Sequence, residues 1–224
     1  MDTELLFQGI VMCLIMFISV IIHEWSHAYV ADRLGDNTPR SEGRVTLNPA
    51  PHIDILGTII IPVVFFIGPA FGFSLGFMML GWGKFVTVDP RSFKNPVRDH
   101  LLSMGAGPAS NLAIGLIAAV IGGIVVRILG PDTETAQNFI KLAGNIIQIN
   151  IILAIFHMLP IPPLDGSYFL KYLTNMSDEM YESLSRWGFV IMLVFIFSPF
   201  IRIIHTLSSI LLIPYQNILI FLIG

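Results

Sequence analysis

Residues His23-Glu24-Trp25-Ser26-His27 carry the pattern H-E-x-x-H. On a helix, side chains four apart share a face, so both imidazoles can bind one metal ion. Glu24 lies about 100° round from His23, close enough for its carboxylate to reach a water at the metal without ligating. The competing reading is a pair of core histidines beside a helix-end glutamate. Three polar groups next to an apolar run then need other partners. A catalytic zinc also requires a third protein ligand and an open position. Asp165 is the candidate, in Leu159-Pro160-Ile161-Pro162-Pro163-Leu164-Asp165-Gly166. The prolines stop a helix, and Gly166 permits a turn that a residue with a side chain resists. The competing reading of Asp165 is an Asp-Gly turn that caps the next segment.

These residues stand at the edges of long apolar runs. Of the 224 residues, 54% are hydrophobic and only 12% charged, about half the usual charged share of a soluble protein. So few polar groups cannot cover a soluble surface, so most of this surface is expected to face lipid. Disorder, coiled coil and collagen are excluded by the same composition. A net charge of −3 gives no nucleic-acid signal. The single Cys13 excludes an internal disulfide and a cysteine-based zinc site.

Charge-free runs extend over Leu5–Ile22, Ile55–Gly83, Leu101–Val126 and Leu142–Leu164. Trp187–Gly224 is interrupted only by Arg202 and His205. A crossing helix needs about 20 apolar residues, which predicts four to six membrane segments. The first run has acidic flanks, Asp2 and Glu4, and is not read as a cleaved signal peptide. Lys and Arg concentrate after the first run, after the second and after the fourth, which places those connections in the cytoplasm. The second run then has basic loops at both ends, with Gly68-Pro69 and Gly72 in its middle. It is read as a re-entrant hairpin or a distorted pair of short segments, the alternative being one long crossing helix. Trp82–Val88, rich in strand-favouring residues, is expected to form a short strand at the membrane edge. The expected fold is an all-α polytopic membrane protein. It has a three-helix catalytic core, this re-entrant and strand segment, and additional C-terminal transmembrane helices. Residues 1–224 are read as one integral-membrane domain, with the core at about 5–170 and a helical extension at about 178–224.

Ionisable groups at membrane depth are costly and are functional candidates by default. Glu24 ends the first run and Asp165 the fourth, at similar depth by the orientation above. Asp165 can therefore face His23 and His27.

H-E-x-x-H on one hydrophobic helix, with L-P-I-P-P-L-D-G ending a later one, resembles the site-2 protease family of intramembrane zinc metalloproteases. The likeness extends through Gly43-Arg44-Val45-Thr46-Leu47-Asn48-Pro49, His52-Ile53-Asp54, Gly81-Trp82-Gly83-Lys84, Asn95-Pro96 and Gly107-Pro108-Ala109-Ser110-Asn111. It covers roughly residues 15–170 and suits the short prokaryotic type, without a PDZ or CBS domain. The resemblance implies one Zn2+ per chain held by His23, His27 and Asp165, with Glu24 as general base. It implies hydrolysis of peptide bonds in or beside transmembrane segments of protein or peptide substrates, in the cell membrane near its cytoplasmic side. The partners expected are that substrate and the lipid bilayer, with no nucleic acid. In one respect the chain departs from the family, which usually has asparagine eight residues before the ligating aspartate. His157 stands there. It is expected to act in catalysis as a donor to the substrate or the oxyanion. It can alternatively approach the zinc, or pack. A catalytically weak, zinc-bound pseudoprotease and a metal transporter are the two other functional readings.

Overall fold

The structure is a computed structural model that describes residues 2–72 and 81–224. The first apolar run is one helix, α1 (Thr3–Leu34). Asp2 starts it, its Oδ1 accepting from the backbone N–H groups of Glu4 and Leu5 at 3.0 and 3.1 Å, which satisfies donors that have no partner within the helix. Gly35 ends it at φ 113°, a left-handed conformation that other residues resist. After the short α2 (Thr38–Ser41) come α3 (Pro96–Leu129), α4 (Glu134–His157), α5 (Gly166–Leu173), α6 (Asp178–Phe197) and α7 (Ile201–Ile223). Among the described residues, α1, α3, α4, α6 and α7 are long and apolar enough to cross a membrane. Their outer faces carry exposed Phe7, Ile18, Ile117, Ile121, Phe197 and Phe221. So continuous an apolar exterior suits acyl chains rather than water, and the chain is an all-α polytopic membrane protein.

Ile15, Met16 and Val20 of α1 pack with Ile149 and Leu153 of α4. Ala119 of α3 and Ile147, Ile151 and Phe156 of α4 share a second core with Met192 and Ile196 of α6 and Ile204 of α7. The C-terminal helices thus lie on the α1–α3–α4 core. A Cβ built at Gly123 would come within 2.6 Å of Leu222 Cβ, so the small residues of α3 serve close helix packing.

The described parts of the second apolar run start and finish at the same end of α1, with its far point at the other end. Wide π-helical turns over Ile55–Ile60 and Val63–Ile67 and a tight turn over Gly68–Phe71 carry it away from the basic loops. Pro62 and Pro69 interrupt the regular ladder because neither has an N–H to donate. This leg runs antiparallel to α1. Cys13 Sγ donates to the Pro62 carbonyl at 3.5 Å, and the Asp2 N–H donates to the Ala70 carbonyl at 3.1 Å. By Lys84 the chain is back where it left, the Lys84 N–H donating to the His52 carbonyl at 2.8 Å. The outward leg reaches the very start of α1, however, which is farther than a shallow re-entry. Residues 73–80 of the run lie outside the described residues.

The strand expected at Trp82–Val88 is not formed, and no strand occurs among the described residues. Strand-favouring side chains do not suffice without a neighbouring extended chain to build a ladder. Here the Trp82 N–H meets the Gly57 carbonyl at 3.3 Å. The buried Arg44 guanidinium donates to the carbonyls of Lys84 and Phe85 at 3.0 and 3.4 Å, and to that of Pro51. Arg44, together with the Thr58 hydroxyl donating to the Trp82 carbonyl at 2.8 Å, thus holds the segment in place of a partner strand.

Candidate metal centre

Three helix ends meet at the site: the last third of α1, the first third of α3 and the end of α4. His23 Nε2 and His27 Nε2 lie 3.0 Å apart. Both face Asp165 Oδ2, at 3.2 and 3.3 Å. All three residues are buried. Asp165 reaches this point because the chain turns back under the end of α4. The prolines from Pro160 to Pro163 prevent the helix from continuing. Gly166 passes so close that a Cβ there would lie 2.1 Å from the Met158 carbonyl oxygen, so the turn admits only glycine.

The tautomer of His27 follows from its partner. Its Nδ1 lies 2.8 Å from the Ser103 carbonyl oxygen, which can only accept, so Nδ1 carries the proton and donates. In the neutral ring Nε2 is then bare and presents a lone pair to the site, as a metal-ligating histidine must. The Ser103 hydroxyl donates back to the His27 carbonyl at 3.3 Å, which clasps α1 to α3. A bare nitrogen faces a carboxylate oxygen at 3.3 Å. A proton or a metal cation between two such atoms would hold them together. The donor set therefore fits a metal ion, and its nitrogen and carboxylate chemistry suits zinc.

Glu24 is buried beside this cluster, and its Oε2 has no hydrogen-bond partner among the described residues. A cavity of about 30 Å³ adjoins it, lined by Glu24, His27, Asp165 and Tyr168 together with Phe85, Val86, Met104 and Pro163. That volume is room for a water molecule.

His157, the last residue of α4, also enters the cluster. Its Nδ1 lies 3.2 Å from the same Asp165 oxygen, and its ring is centred 4.1 Å from that of His23. His23, His157 and Asp165 place one donor atom each within 4.8 Å of one another. The nearby Asn150 amide donates to the Ile146 carbonyl of its own helix at 2.9 Å.

The other histidines stand apart. His52 is buried and donates from Nε2 to the Thr46 carbonyl at 2.8 Å. Burial holds its pKa below the ordinary value, so it is a neutral loop-bracing residue. His100 is buried, with its Nδ1 2.8 Å from the Tyr172 hydroxyl. A polar neighbour on α5 allows this burial, and the sequence spacing does not reveal that neighbour. His205 is exposed.

Two glycines matter more than their motifs suggest. A Cβ on Gly107 would lie 2.3 Å from His27 Nε2 and 2.6 Å from His23 Nε2. One on Gly83 would lie 2.5 Å from Glu24 Cγ. The backbones of α3 and of the segment after residue 80 thus form walls of the site. Gly107→Ala is expected to keep α3 helical, since alanine favours helix, while lowering zinc affinity by about 10–100-fold, the loss typical when a ligand's orientation is disturbed. Chelator competition checks the affinity and circular dichroism the helix. Unchanged affinity would remove Gly107 from the wall.

No family profile and no solved structure matches the chain. Among curated proteins it is 33% identical over 190 residues to "Putative zinc metalloprotease YwhC" of Bacillus subtilis (strain 168), covering 82% of this chain and 78% of that protein. It is 26% identical over 182 residues to "Putative zinc metalloprotease Rip2" of Mycolicibacterium smegmatis, covering 81% of this chain and 64% of that protein. The Rip2 of Mycobacterium tuberculosis is 25% identical over 183 residues, with the same coverage. Rip2 is thus matched over less than two thirds of its length. The likeness to YwhC over most of both chains, on a membrane fold that gathers H-E-x-x-H and a distant aspartate, places this protein in the site-2 protease family of zinc metalloproteases.

Proposed function

We propose that the protein is a zinc-dependent intramembrane endopeptidase. It hydrolyses peptide bonds in or near transmembrane segments of membrane-protein substrates, at a site near the cytoplasmic side. The observation that carries this reading is the convergence of His23 Nε2, His27 Nε2 and Asp165 Oδ2 within 3.0–3.3 Å of one another, beside a buried glutamate with an unpaired oxygen. His23, His27 and Asp165 would hold the zinc. When bound, zinc supplies Lewis acidity that polarises the scissile carbonyl and makes water easier to deprotonate.

The remaining steps belong to the chain. Glu24 takes a proton from the attacking water in the adjoining cavity and passes it to the leaving amine nitrogen as the C–N bond breaks. Ser103 keeps the proton of His27 on Nδ1 and so keeps Nε2 bare. The apolar helices exclude bulk water, and the small cavity admits it locally. A substrate helix must unwind beside Phe85 and Val86, because its carbonyls are otherwise bonded within the helix. The transporter reading requires ligands spread over mid-membrane positions of several crossings. Here the cluster sits at one end of α1 and α4.

The test is incubation of purified, zinc-loaded protein with a panel of transmembrane peptides, with product masses read out. Cleavage within or beside an apolar segment is the expected result. Zinc binding with no cleavage of any peptide would favour the pseudoprotease. Orientation has its own measurement. Single cysteines at the exposed Ser41 and Ser92, in a Cys13→Ser background, are expected to resist an impermeant thiol reagent applied to intact cells and to react once the membrane is opened. Labelling of either from outside would move the site to the other face.

A further inference from the structure

His157 stands where the family usually has asparagine, and its surroundings suit a role other than donating to substrate. In a tetrahedral zinc site with bonds of about 2.0–2.1 Å, neighbouring donors lie about 3.3 Å apart. The His23–Asp165, His27–Asp165 and His157–Asp165 separations are 3.2, 3.3 and 3.2 Å, all to the same carboxylate oxygen. The His157 ring is centred 4.1 Å from that of His23, closer than the 4.6 Å between His23 and His27. His157 therefore meets the shared carboxylate oxygen at the same distance as the two motif histidines, and groups with His23 and Asp165 as a donor. The cavity beside the site meets Glu24, His27 and Asp165, but neither His23 nor His157 lines it. An oxyanion donor must face the space where substrate sits, and His157 faces the donor cluster instead.

We infer that His157 is a fourth protein ligand of the zinc, approaching on a side away from the cavity. The inference rests on the proposed zinc centre and extends it from two imidazoles and a carboxylate to three imidazoles and a carboxylate. Neither His23 nor His157 lines the cavity, so water or substrate would approach the centre from the side of Glu24, His27 and Asp165. His157 in this role tightens metal binding without occupying the reaction space.

The deciding measurement is zinc-edge X-ray absorption on purified, zinc-loaded wild-type protein, in which imidazole ligands are counted from their scattering. Three are expected. In His157→Ala and His157→Asn the count falls to two, and chelator competition shows zinc affinity lowered by about a hundredfold, at least the loss typical of removing a ligand's supporting contact. Two imidazoles in the wild type overturn the inference and leave the centre of His23, His27 and Asp165 standing. So does a count of three that stays three in both variants. A wild type that takes up no zinc overturns both this inference and the proposed function. Should neither variant fold, the wild-type count alone decides.

Discussion

Glu24→Gln is expected to leave zinc bound and to lower peptide hydrolysis by about 10²–10⁴-fold, the usual contribution of a positioned general base. The amide keeps the size and shape of the carboxylate, so it fits the space beside Gly83, where a single added carbon would touch Glu24. It cannot take a proton from water. The donors of the metal site, His23, His27 and Asp165, are untouched. Metal analysis and a single-turnover cleavage assay on the same preparation separate the two effects. Activity near that of the wild type would end the general-base assignment. Loss of metal together with activity would instead make Glu24 a ligand.

The second large effect is expected at Asp165. Its Oδ2 is the one atom shared by His23, His27 and His157, at 3.2, 3.3 and 3.2 Å. It is also the only carboxylate in that group of donors. Removing it takes the negative charge from a buried cation site, and breaking such a buried partnership costs about 3–5 kcal/mol. Asp165→Ala is therefore expected to weaken zinc binding by about 10²–10⁴-fold and to abolish cleavage at ordinary zinc levels. Asp165→Asn should fall between, because the amide oxygen still offers a lone pair without the charge. Chelator competition on the three proteins gives the order. Undiminished affinity in the alanine variant would remove Asp165 from the centre and leave the turn at Gly166 without a function.

Where the histidine motif lies, and that a membrane surrounds it, could be read from residue order alone. H-E-x-x-H is a local pattern, and a helix places residues four apart on one face whatever surrounds it. The membrane class follows from composition, because lipid imposes one rule on every surface residue. Tertiary structure decided what depends on which segments become neighbours. The strand-like residues 82–88 have strand propensity, but a strand exists only beside another, and these residues meet the turn at Gly57 and the guanidinium of Arg44. Gly107 and Gly83 reveal their importance only when the histidines and Glu24 stand against them. The tautomer of His27 is set by Ser103, 76 residues away. The place of Asp165 against His157 is set by how tightly the chain turns between Met158 and Gly166. Most of these are contacts between residues far apart in sequence, and all take their geometry only once the chain folds on itself.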